Sequence, residues 1–138
     1  MESIAAIAPV NTMFFSALLV LLKIALGIQV TMYRAKNNTM WGDAGDEQMQ
    51  RRIRAHANHS EWMPATIIIL ALIEMVGVSA LIIFVLGAAM LVGRLLHAVG
   101  LMGNAEMFNR VTGMVITWGV LGIAAIIGII EYVSPGSF

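Results

Sequence analysis

The sequence predicts an all-α integral membrane protein, a single bundle of four helices within residues 1–138. Two observations carry that prediction. Only 12% of the residues are charged and 59% are apolar, whereas a soluble domain carries about 25% charged residues; a mean hydropathy of +0.86 points the same way. The charges are also segregated: Arg34, Lys36, Asp43, Asp46, Glu47, Arg51, Arg52, Arg54 and Glu61 crowd one stretch, while residues 111–130 have none. A spanning helix needs roughly 20 mostly apolar residues.

Four segments have that character, at about 9–33, 52–76, 79–101 and 108–132. The first lacks the basic flank and small-residue cleavage site of a signal peptide, so it is expected to be retained. Its one charge, Lys23, lies about 15 Å along the helix from Tyr33, beyond the reach of a snorkelling side chain. Lys23 should therefore face a subunit interface or a polar cavity. Asn37 to Asp46, with Gly42 and Gly45, reads as the one substantial loop. In the second helix Pro64 should kink the helix or divide a cytoplasmic extension from the membrane part. Val76 to Ser79 marks a tight turn, and Gly100 to Glu106 another. Glu74 and Glu131 fall near helix ends and are expected to be interfacial. Lysines and arginines lie between the first two helices and, as Arg110, between the last two, so both charged loops are expected in the cytoplasm and both termini outside it.

Composition excludes several functions. Zero formal net charge gives no general electrostatic case for nucleic acid. The absence of cysteine excludes disulfides, thiolate metal sites and a cysteine nucleophile.

Trp62 to Gly93 is only about 32 residues with one charge, yet two crossings need about 40. Asn58, Glu61, Arg94 and His97 are thus drawn to the inner membrane boundary. Charge at that depth must face the bundle rather than lipid. At 100° per residue, and with Arg54 at 0°, Asn58 falls at about 40°, Glu61 at about −20° and Arg51 at about 60°, so the four share one stripe. His56 and His59 point to the other side, read as structural or solvent-facing rather than as metal ligands with Glu61. Arg94 and His97 are one turn apart on the third helix, and Arg110 opens the fourth at the same depth. Such a cup offers bidentate donors to carboxylates, a carboxylate for an ammonium group, and an amide able to pair with a peptide bond. A small zwitterionic peptide such as glutathione fits; a phosphorylated ligand or a lipid headgroup also satisfies the charges.

The run Arg54-Ala55-His56-Ala57-Asn58-His59-Ser60-Glu61-Trp62-Met63-Pro64 resembles the signature of the MAPEG family, membrane-associated proteins in eicosanoid and glutathione metabolism. Gly42-Asp43-Ala44-Gly45-Asp46 and Gly93-Arg94-Leu95-Leu96-His97-Ala98 are similar to its compact bacterial branch. The resemblance implies a homotrimer in a bacterial inner membrane, with glutathione bound between subunits near the cytoplasmic face, beside a cleft for an apolar electrophile. It implies that Arg54, Asn58 and Glu61 bind glutathione, Glu61 through the γ-glutamyl amine, and that Arg94 and His97 line the pocket. Arg110 would stabilise the thiolate, and Arg34 would close the first helix's side of the site. Arg51 joins them from the stripe. Where the eicosanoid synthases carry two tyrosines this chain has Leu101 and Met114, and Ala57 replaces a second arginine; eicosanoid substrates are therefore not expected. The expected activity is a detoxifying, glutathione transferase-like attack of the thiolate on apolar electrophiles, with no metal. A non-catalytic glutathione- or lipid-binding protein on the same scaffold, or a small multidrug exporter with Glu74 as its carboxylate, are the alternatives.

Overall fold

A computed structural model describes residues 8–103 and 107–138. It contains four helices: α1, Val10–Lys36; α2, Glu47–Met75; α3, Ala80–Met102; and α4, Met107–Val133. The expected turn ending at Glu106 lies partly outside the described residues. Among the described residues α1 packs on α2 and α3, α4 packs on α2 and α3, and α1 and α4 do not touch. So α2 and α3 form the short diagonal of the bundle.

Three of the helices, α1, α3 and α4, are long and apolar enough to cross a membrane. Their outward faces carry Met13, Leu21, Ile28, Leu81, Val115 and Ile126, all exposed. The sequence suggested four such spans; α2 is helical over 29 residues but does not meet the same measure of apolarity. The apolar run of α2 covers only its C-terminal part, because Arg51, Arg54, Asn58 and Glu61 occupy the rest.

α2 also begins five residues earlier than its hydropathy suggests. The Asp46 carboxylate caps it, accepting from the backbone N–H groups of Gln48 at 2.8 Å and Met49 at 3.2 Å. An aspartate at this position satisfies amides that the first turn cannot. The preceding loop reverses through left-handed backbone at Gly42 and Gly45, and also at Asn38 and Ala44. Pro64 does not divide α2, which is helical straight through it.

Two carboxylates expected near the outer helix ends are buried against chain ends. Glu74, 4% exposed, accepts from the backbone N–H of Asn11 at 2.9 Å and of Thr12 at 2.8 Å. It thereby caps α1, whose own N-cap residue is Pro9, which makes no side-chain cap bond. Glu131 accepts from the backbone of Gly136 and Phe138 and folds the C-terminal tail onto α4. Both groups supply acceptors to backbone amides at chain ends.

The core divides into two apolar clusters. The larger holds Leu19, Met63, Leu70, Ile83, Met90 and Val120; the smaller holds Leu26, Ala55, Ala98 and Leu101. Near the smaller cluster, glycine lets α3 and α4 close on each other. A Cβ at Gly113 would lie 2.5 Å from the Gly93 carbonyl oxygen and 2.6 Å from the His97 amide nitrogen, and one at Gly100 would lie 2.5 Å from the Arg110 nitrogen.

These are backbone atoms and cannot rotate away. Gly113→Ala is accordingly expected to destabilise the protein by about 1–3 kcal/mol, the scale of overpacking, as read by thermal unfolding in detergent. Gly122→Ala on the same helix, where a Cβ meets nothing, should be neutral or stabilising through its higher helix propensity. Equal melting temperatures for the two variants would exclude the close approach.

Candidate functional site

Between the two apolar clusters lies a polar layer built around Arg94. Its side chain is 1% exposed, and its partners lie on two other helices, α2 and α4. Nη2 donates to Asn58 Oδ1 at 2.7 Å, and Nη1 donates to Thr117 Oγ1 at 3.4 Å and contacts Met114 Sδ at 3.7 Å. Nε donates to His59 Nδ1 at 3.5 Å. His59, fully buried, bonds through Nε2 to the Leu19 carbonyl on α1 at 2.9 Å. Thr117 donates its own proton to the Gly113 carbonyl at 2.8 Å, so its lone pair faces the arginine.

On the far side of Asn58 a cleft of about 590 Å³ opens between α2, α3 and α4. Its α2 wall carries Glu47, Gln50, Arg51, Arg54 and Asn58; its α3 wall carries His97, Gly100 and Leu101; its α4 wall carries Met107, Arg110 and Met114. The glycine contacts determine the spacing of the last two walls, and with them the bond from His97 Nδ1 to the Arg110 carbonyl at 2.9 Å. A carbonyl only accepts, so Nδ1 carries the proton and the neutral ring keeps its Nε2 lone pair.

The cleft is rich in donors. Arg51 is paired with Glu47 one turn earlier and also donates to the Gly103 carbonyl at 3.4 Å. Arg54 and Arg110, both exposed, have no carboxylate within ion-pair distance among the described residues. Arg110 lies in the first turn of α4, where the helix dipole adds positive potential.

Five of the residues singled out from the sequence thus meet in one place: Arg51, Arg54, Asn58, His97 and Arg110. Three do not line it. Arg94 lies behind Asn58. Glu61 is exposed on α2, one turn further on. Arg34 is on α1, donating to the Gly42 carbonyl at 3.3 Å beside Thr31 and Asn38. Lys23 is half-buried in a separate groove of about 430 Å³ on α1, with Gly27, Thr31 and His56.

Sequence reasoning missed His59 and Thr117. The helix phase rightly turned His59 away from the Arg54 stripe, but phase on one helix is silent about which group of another helix waits there. A polar residue at the membrane depth of Arg94 was the available signal for both.

Outside the membrane, the loop is tied by Asp46. Its carboxyl is held below the usual aspartate range, first by the Met49 amide, then by the Tyr33 hydroxyl donating at 3.0 Å, with the Gln48 amide and the Arg52 charge assisting. Arg52 in turn covers the Tyr33 ring, with Cζ 4.8 Å from its centroid. A depressed folded pKa stabilises the fold above the unfolded value of about 3.9 and ceases to do so as pH falls through the folded one. Acid should therefore loosen the α1–α2 connection only below about pH 4. Melting temperature against pH tests this: Asp46→Asn should flatten the acid limb, and an unchanged limb would remove Asp46 from the account.

Comparison with known proteins gives a match to the MAPEG family over residues 12–130. Two relatives carry the name inner membrane protein YecN, one from Escherichia coli strain K12 and one from strain O6:H1. Each is 30% identical over 107 residues, covering 78% of this chain and 81% of the relative.

Proposed function

This chain belongs to the MAPEG family, and from that membership we propose that it is an inner-membrane glutathione-binding protein with transferase-like activity. The observation that carries the reading is the convergence of Arg54 and Arg110, without carboxylate partners among the described residues, with Asn58 in one cleft. Guanidinium groups pair with the carboxylates of glutathione in two-bond geometry. Arg110, at the start of α4, faces the thiol. A cysteine thiol has a reference pKa near 8.5, and a cation beside it, backed by the helix N-terminus, raises the thiolate fraction. The thiolate sulfur then forms a bond to an electrophilic carbon of an apolar substrate arriving from the bilayer. Either a leaving group departs with its electron pair or, in an addition, the adjacent carbon takes a proton. Proximity and the positive field supply the acceleration.

Glu61 and Arg34 enter this reading across a subunit boundary. The protein acts as a homotrimer, in which the exposed Glu61 face and the α1 face bearing Arg34 meet neighbouring copies. Charged groups at membrane depth favour such packing, since lipid leaves them uncompensated. One observation favours a second reading, a non-catalytic binder: Leu101 and Met114 line the cleft and offer no hydroxyl to the sulfur. The exporter reading loses its carboxylate, because both Glu74 oxygens are occupied by α1 amides.

Titration calorimetry of the detergent-purified protein should detect glutathione binding. Arg54→Ala should weaken it by roughly ten- to a hundredfold, the worth of a hydrogen bond to a charged group, about 1.5–3 kcal/mol. Arg110→Ala should instead raise the pKa of the bound thiol, followed by thiolate absorbance, with little loss of affinity at acidic pH. Absence of binding by the parent would end the glutathione reading, and binding without turnover of an aryl halide would leave the binder.

Assembly and orientation are testable together. Native mass spectrometry should show three copies, and a reporter fused at Phe138 should report from outside the cytoplasm. A monomer, or a cytoplasmic Phe138, would contradict the respective statement.

A further inference from the structure

The guanidinium of Arg94 has five N–H donors and no acceptor. The Asn58 atom 2.7 Å from its Nη2 must therefore be Oδ1. That commits the acceptor half of the amide inward and leaves the two Nδ2 protons for the cleft that Asn58 lines. Free of Arg94, asparagine could present either end to a ligand; here it presents only a donor.

What holds Arg94 in this attitude is His59. The Leu19 carbonyl accepts from Nε2 at 2.9 Å, so the neutral ring turns the lone pair of Nδ1 to Arg94 Nε. A doubly protonated ring would set one donor against another and one cation against another. Thr117, its proton spent on Gly113, offers a second lone pair. Every partner of the buried cation is neutral, and no carboxylate lies within ion-pair distance among the described residues. The Glu61 carboxylate acts on the cation only from beyond ion-pair distance; the cation polarises the Asn58 amide, and a polarised donor chain strengthens toward an acceptor at its far end.

We propose that Arg94, seated by His59, is a positioning residue that locks the Asn58 amide with its NH2 toward the cleft, so that the site selects a ligand presenting an acceptor oxygen, and above all an anionic one, at that point. The glutathione reading supplies the probe for this proposal and otherwise stands apart from it.

Asn58→Asp is isosteric. It gives Arg94 a carboxylate but turns an acceptor toward the cleft. Its melting temperature should equal or exceed the parent's, while glutathione affinity falls by about tenfold or more. Loss of affinity without loss of stability is a result that a merely structural role does not produce. His59→Gln can donate to Leu19 and accept from Arg94, so it should retain affinity. His59→Leu can do neither and should lose it. Parent-like binding by Asn58→Asp, or equal affinities for the two His59 variants, would overturn the proposal. Were His59→Leu not to fold, the Asn58→Asp and His59→Gln results decide. If the parent does not bind glutathione, the function reading falls alone and nuclear magnetic resonance of the ligand-free protein decides here. The His59 ring should show a protonated Nε2 and a bare Nδ1, and the Asn58 NH2 signals should broaden with a water-soluble paramagnet. A different tautomer, or shielded Asn58 protons, would refute it.

Discussion

A guanidinium withdrawn from water inside an apolar bundle is the constraint on which the remaining architecture turns. Removing such an ion from solvent costs several kcal/mol even after relaxation, and Arg94 offsets that cost through hydrogen bonds, with the Glu61 charge assisting from beyond ion-pair distance. Its acceptors come from α2 and α4, and His59 extends the set to the main chain of α1. All four helices are therefore joined at one level through Arg94 and His59. The two apolar clusters on either side pack by shape alone, without directional bonds. Directional bonds to a planar cation define how far each helix may slide.

The glycines act on the same layer from another direction. Gly93, Gly100 and Gly113 bring the backbones of α3 and α4 into contact, which puts Thr117 within reach of Arg94 and the Arg110 carbonyl within reach of His97. The cleft is thus a by-product of two rigid distances, α3 to α4 through glycine and α2 to α3 through Arg94. Its cationic side chains hang from walls whose spacing those contacts determine.

Much of this was legible in the chain. Segregated charge gave the four helices, and a period of 100° per residue gathered Arg51, Arg54 and Asn58 on one stripe that does face His97 and Arg110. The motif resemblance led to the family itself. What escaped has a common physical cause. Arg94 as a buried support rather than a cleft wall, His59 as its seat, and Glu74 as a cap all depend on partners far away in sequence, Asn11 and Glu74 being 63 positions apart. Periodicity reports a direction on one helix and says nothing about what faces it. The early start of α2 is different. Asp46 before Glu47 is a local capping signal, which the polar character of the next turns disguised as loop.

The cap that Glu74 places on α1 also bears on the order of events during biosynthesis. α1 emerges from the ribosome first, and the amides of Asn11 and Thr12 then lack the acceptors that they have in the finished protein. First-turn amides otherwise turn to solvent, so the start of α1 receives its final cap only when the end of α2 has been made and brought beside it. The first two helices therefore mature as a pair, the start of one waiting on residue 74 of the other.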